Sequence, residues 1–194
     1  MHFSIDSFFS YNLHLGHSLI STLLLAAWSL FGFRRNIWFI NLLKTVYLLR
    51  VALKLISFVV SNYFPIWFIH LNKFLKSYID SLALRACEFS CTSLWIRGML
   101  SNFKQVIHTY TILSTKFVSK LTQKLKKFRF NFRNFFVSRF MWPRCLFILS
   151  AFANKSILRE AYNFRVPCLA IVDTNVSSQG LSLPLPGMMI LLML

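Results

Sequence analysis

Acidic residues are scarce in this chain: five Asp and Glu stand against 22 Lys and Arg in 194 residues, a formal net charge of +17. A metal site built from several converging carboxylates therefore has little to draw on. Glycine is equally scarce, at five residues. Neither a G-x-G-x-x-G nor a P-loop occurs, so the usual glycine-built phosphate cradle is missing. The four cysteines, Cys87, Cys91, Cys145 and Cys168, include no C-x-x-C pair. Cys87 and Cys91 would share a helical face, but no second pair stands at metal-ligand spacing. Reduced thiols packed as small apolar side chains are the expectation, with no metal or cofactor. His14-Leu15-Gly16-His17 lacks the Glu and the i, i+4 spacing of a metalloprotease helix; Gly16 points to a bend, and the histidines to a backbone-positioning or RNA-contacting role. No nucleophile–base–acid set stands out.

Long uninterrupted apolar runs are missing too, although 56% of the residues are hydrophobic and the mean hydropathy is +0.57. Residues 19–33 (LISTLLLAAWSLFGF) stop at Arg34-Arg35. Residues 37–60 are broken by Lys44, Arg50 and Lys54, and residues 180–194 hold two prolines. A spanning helix needs about 20 mostly apolar residues. An organellar membrane protein with spans near 19–33 and 37–60 is the competing interpretation. The 22 phenylalanines have another source, the substitution drift of a T-rich coding sequence, which points to an organellar genome. The N-terminus MHFSIDSFFSYN lacks the Arg-rich amphipathic character of a transit peptide, so synthesis inside the organelle is expected.

What is present alternates strand and helix. Short apolar runs at 37–41 (IWFIN), 66–70 (IWFIH), 145–149 (CLFIL) and 167–172 (PCLAIV) suit buried strands. Helical patterns cover 42–60, 72–86 with Asn72 as N-cap, 99–115 and 155–164. Apolar runs separated by helices indicate a parallel sheet covered on both faces, an α/β doubly wound class.

One stretch departs from that layering. From residue 89 to 159 there is no acid, while thirteen Lys and Arg occur. Lys116, Lys120, Lys124 and Lys127 step along one side of a helix, with Phe117, Leu121, Leu125 and Phe128 beside them. FRFNFRNFF (128–136) then alternates aromatic with basic or amide residues and suits an extended arm. Cations neutralise phosphates and release counterions, and interleaved aromatics stack on bases. Asp173, after the 167–172 run, lies where open α/β sheets place ligands, and an enzyme using it is a further alternative. Asp-Thr-Asn is also a turn sequence, which is the favoured expectation.

Four blocks in order then carry a resemblance: LHLGHS (13–18), LFGFRRNIWFINLLKTVYLL (30–49), SLWIRGMLSNF (93–103) and LREAYNFRVPCLAIVDTNVSSQGLSLPLPG (158–187). The chain resembles the universal small-subunit ribosomal protein of the S-two family in its bacterial and organellar form. The resemblance implies a flavodoxin-like sheet with an inserted helical hairpin, rRNA binding between head and body on the solvent side, and no enzymatic activity. Arg97 stands where the family has the first glycine of a Gly-Gly pair, which adds a cation and removes backbone freedom. The insertion is shortened and basic. After Pro186-Gly187 the family's closing helix is either absent or supplied by another polypeptide, and an exposed MMILLML tail would need a partner.

The expected organisation is thus an α/β domain in two parts, 1–116 and 142–194, around an insertion at 117–141. The expected function is a structural, non-catalytic one in the mitochondrial small ribosomal subunit, in the matrix, with small-subunit rRNA and neighbouring ribosomal proteins as partners and no small-molecule substrate. Arg34, Arg35, Arg97 and Lys104 would seat the sheet domain on phosphates. Lys116, Lys120, Lys124, Lys126, Lys127, Arg129, Arg133 and Arg139 would follow an RNA groove, with Phe128, Phe130 and Phe132 packing on bases or proteins.

Overall fold

The computed structural model describes residues 5–18, 24–71, 75–92, 95–115, 141–151 and 155–187. The strands β4 (Ile66–Ile69), β5 (Phe89–Cys91), β6 (Cys145–Ile148), β7 (Cys168–Val172) and β8 (Leu183–Pro186) form one sheet in the order β5-β4-β6-β7-β8. All its pairs are parallel. Numbered along the chain the order is 2-1-3-4-5, the flavodoxin-like winding.

Side chains leave each strand alternately to the two faces. Trp67, Ile69, Leu146, Ile148, Cys168 and Ala170 enter the larger core, together with Trp95, Met99 and Leu100 and with Ile157 and Ala161 of α5 (Lys155–Asn163). Ile66, Cys145 and Leu169 face the other way, onto Val59, Leu55 and Ile56 of α2 (Leu42–Ser61). α3 (Lys76–Arg85) lies against β5 and buries Ile79 and Ala83. With both faces covered, the strands read as continuous apolar runs, which is why three of them were legible. Trp67 is fully buried and meets the rings of Phe89 and Trp95 edge-on. Truncating such a side chain to Ala typically costs about 3–5 kcal/mol.

The run at 37–41 departs from expectation. β1 (Leu15–Ser18), β2 (Leu30–Arg34) and β3 (Ile37–Ile40) make a separate antiparallel sheet in the order β1-β3-β2. The two-residue turn Arg35-Asn36 folds β3 back on β2 and keeps it out of the parallel sheet. Gly16 is not a bend; it lies within β1. A Cβ there would come within 2.7 Å of Thr174 Cγ2 and 3.0 Å of the Trp38 carbonyl, so the glycine permits close approach. The helix expected at 99–115 begins only at α4 (Phe103–Thr115). Gly98 has φ +93°, and the N–H groups of Gly98 and Leu100 donate to the Glu160 carboxylate, so residues 97–102 form turns.

Two strands escaped the sequence pattern. β5 has three residues around a serine, and β8 (LPLP) carries two prolines, tolerated because it is the sheet's edge. A short helix, α1 (Ile5–Ser10), precedes β1. Residues 24–33, two thirds of one supposed membrane span, lie in a 3-10 helix (Leu24–Ser29) and β2. Among the described residues, no helix is long and apolar enough to cross a membrane. The basic segment 116–139, the supposed Asn72 cap and the tail 188–194 lie outside the described residues.

Candidate nucleic-acid interface

Four of the five acids are turned into the fold as hydrogen-bond acceptors. Asp80 on α3 accepts from the hydroxyls of Ser90 (2.7 Å) and Thr92 (2.8 Å) and so fastens α3 to β5. Glu88 accepts from the backbone N–H of Ile66 at the start of β4 (3.0 Å). Glu160 accepts from the N–H of Gly98 (2.8 Å) and of Leu100 (3.3 Å), with Trp95 Nε1 at 3.5 Å. Asp173 holds His17 Nδ1 at 3.0 Å and the Thr174 N–H at 2.6 Å. Asp6 alone is exposed. Every described Lys and Arg is exposed except the half-buried Lys76. The surface is therefore more one-sidedly positive than the composition states.

These acids also explain why the sequence blocks occur together. Glu160, from LREAY, pins the loop of SLWIRGMLSNF and thereby presents Arg97 on its tip, with Lys104 one step into α4; both are exposed. Gly98 occupies the position that needs positive φ, so Arg97 in place of a glycine imposes no left-handed strain. The His17 N–H donates to Thr174 Oγ1 (3.0 Å), and Asp173 holds the His17 ring, so LHLGHS is clamped onto VDTN at the carboxyl end of β7. The Val176 N–H donates to the Asp173 carbonyl (3.1 Å), and Asp173 is the turn residue expected. His17 and Thr174 satisfy it inside a packed junction. Its geometry is that of a cross-link between distant segments.

Arg34 and Arg35 stand at the tip of the β2–β3 hairpin. Arg35 (φ 50°) and Asn36 (φ 65°) both adopt the left-handed region, the signature of a type I′ turn. Both arginines project into solvent. Among the described residues neither Arg34 nor Arg35 forms a hydrogen bond or ion pair with Arg97 or Lys104; the two are separate presentations of charge. Sequence reasoning passed over Lys155 and Arg159, exposed and one turn apart on α5. The signal was available in their i, i+4 spacing.

Beside the hairpin lies an apolar cavity of about 640 Å³ lined by Phe9, Phe31, Phe33, Phe39 and Leu43 among others. Phe31 is 78% exposed and Leu43 65%. Among the described residues no group of three or more His, Cys, Asp or Glu stands together as a metal site.

A doubly wound α/β protein with inward acids and outward cations is the class these features define. The family described as "Ribosomal protein S2" matches residues 9–188. The chain belongs to that family. It is 29% identical over 171 residues to the "Small ribosomal subunit protein uS2" of Bartonella quintana, a match covering 81% of this chain and 66% of that one. The protein of the same name from Pseudoalteromonas atlantica is 28% identical over 173 residues, covering 81% and 71%. That of Beijerinckia indica is 27% identical over 202 residues, covering 95% and 59%. The chain thus spans about two thirds of the length of the first of these relatives, and less of the last.

Proposed function

We propose that the chain is a structural, non-catalytic constituent of a small ribosomal subunit, holding rRNA through its surface cations in support of translation. The observation that carries this is the sorting of charge: four of the five acids are consumed by the fold, and the described cations, Lys76 apart, face outward. Such a surface attracts a polyanion and binds it with steep salt dependence. Membership of the ribosomal family gives that polyanion its identity. Arg34 and Arg35 on the hairpin tip, Arg97 on the pinned loop and Lys104 at the start of α4 contact phosphates. The basic segment from Lys116 to Arg139 adds further phosphate contacts. The exposed phenylalanines around the apolar cavity take a neighbouring ribosomal protein.

The organelle is the mitochondrion, with the gene inside it; the abundance of phenylalanine supports that assignment. The test is sedimentation of mitochondrial extract at low and then high salt. The chain is expected to travel with the small subunit and to leave that fraction when the RNA is digested. Recovery in membranes after carbonate extraction, indifferent to nuclease, would overturn the proposal. Recovery with a small subunit outside mitochondria would overturn only the location.

A further inference from the structure

α5 follows β6, and the loop 173–180 follows the neighbouring strand β7. Between helix and loop lies a cleft of about 590 Å³. It sits toward the carboxyl edge of the parallel sheet, where open α/β sheets place their ligands. Lys155, Arg159 and Tyr162 recur at i, i+4 and i+7, so one helical stripe forms the first wall. Asn175, Ser177 and Gln179 line the second. The floor is apolar, from the buried side chains of Leu158 and Val176.

The two nearest acids point elsewhere. Glu160 is engaged with Gly98 and Leu100, and Asp173 with His17 and Thr174. Neither cation has a salt-bridge partner among the described residues. Tyr162 is 71% exposed, a ring on a cleft wall that packing does not explain. The loop wall is braced by the Gln179 N–H, which donates to Ser177 Oγ (3.2 Å). Two free cations, an open aromatic face and amide side chains opposite are the chemistry that receives a nucleotide. The cations take the phosphate, the ring stacks on the base, and the amides meet its edge.

We propose that this cleft binds one nucleotide, its phosphate between Lys155 and Arg159 and its base against Tyr162, and that the nucleotide is a unit of single-stranded rRNA. The proposal rests on the ribosomal function above and adds a contact to it. A free mononucleotide offers the same groups, so the experiment separates the two sources. The full chain is titrated with a 12-nucleotide single-stranded RNA and, separately, with 5′-AMP, at several salt concentrations. Three variants accompany it: Lys155→Gln with Arg159→Gln, Tyr162→Leu, and Arg34→Gln with Arg35→Gln as an off-cleft control. Thermal melts check that each folds; all the substituted side chains are exposed.

The proposal expects the double cleft variant to flatten the salt dependence of RNA binding by about 0.7 in slope, the loss of one single-strand phosphate contact. It expects Tyr162→Leu to weaken RNA binding by about tenfold. It also expects AMP to bind far more weakly than RNA. RNA binding that is steep in salt, lost in the hairpin control and unchanged in both cleft variants would overturn the cleft and leave the ribosomal function standing. AMP binding abolished by the cleft variants, with no RNA bound by any form, would overturn rRNA as the source. No binding of either probe would overturn both readings.

Discussion

His70 is fully enclosed at the end of β4, and neither ring nitrogen has a hydrogen-bond partner among the described residues. Burial disfavours the charged ring and lowers its pKa from the ordinary 6.5. The folded protein therefore holds His70 neutral where the unfolded chain takes up a proton. Stability from this source is complete above about pH 6.5 and declines as pH falls below it, by at most about 1.4 kcal/mol per unit. Urea melts at pH 7.5 and 5.5 are expected to show a smaller loss on acidification for His70→Leu than for the native chain; equal losses would remove the idea. The thiols offer a second check. Burial pushes Cys91, Cys145 and Cys168 up to about 12, with Asp80 adding to the effect at Cys91 and Cys145 to that at Cys168. Cys87 is exposed. Iodoacetamide at pH 8 is expected to label Cys87 alone in the folded protein and all four on unfolding, read by mass spectrometry. Rapid labelling of a second cysteine under native conditions would contradict the packing described.

At the scale of elements, three helices end in the same way without glycine. Tyr63 (φ 57°), Cys87 (φ 55°) and Arg165 (φ 53°) each take the left-handed position after α2, α3 and α5. In each case the next N–H bonds back to the third residue from the helix end: Phe64 to Val59, Glu88 to Ala83, Val166 to Ala161. These are Schellman caps, which usually recruit glycine because a Cβ is strained there by about 1 kcal/mol or more. Replacing Tyr63 or Arg165 by Gly is therefore expected to raise stability by about 0.5–1 kcal/mol in denaturant titrations, despite glycine's greater unfolded-state entropy. Glu160 works in the other direction. Its removal in Glu160→Ala strips the acceptor from two backbone N–H groups and is expected to cost about 2–3 kcal/mol. Glu160→Gln, which keeps one carbonyl oxygen, should recover part of that. If Glu160→Ala melts like the native chain, the loop carrying Arg97 is held by other means.

Across the whole molecule, legibility followed burial. The runs at 66–70, 145–149 and 167–172 were visible because strands covered on both faces need apolar side chains throughout. The run at 37–41 looked identical, and only the two-residue turn at Arg35-Asn36 sent it into another sheet; an Arg there masks a signal that Asn-Gly would have announced. β8 was hidden by prolines that only an edge strand accepts. The clamp joining Gly16 and His17 to Asp173 and Thr174 bridges a separation of 157 residues between His17 and Thr174, so no local pattern could reveal it. The excess of cations was plain in the composition, whereas the inward placement of the acids required the fold. That placement has a measurable consequence. A chain with a net charge of +17 and little acid at its surface repels itself, and salt relieves the repulsion by screening. The melting temperature of the free protein is expected to rise between about 20 and 300 mM NaCl, where the Debye length shortens severalfold. With single-stranded RNA present at about a hundredfold over its dissociation constant at low salt, binding to the folded state adds about 2.7 kcal/mol, or roughly 5–10 °C for a chain of this size. That increment should shrink as salt rises, because counterion release is what drives the complex. The two curves therefore converge from opposite sides. Parallel curves, or a free protein that melts identically at every salt concentration, would mean that the outward cations neither repel one another nor meet RNA, and the charge sorting would lose its functional meaning.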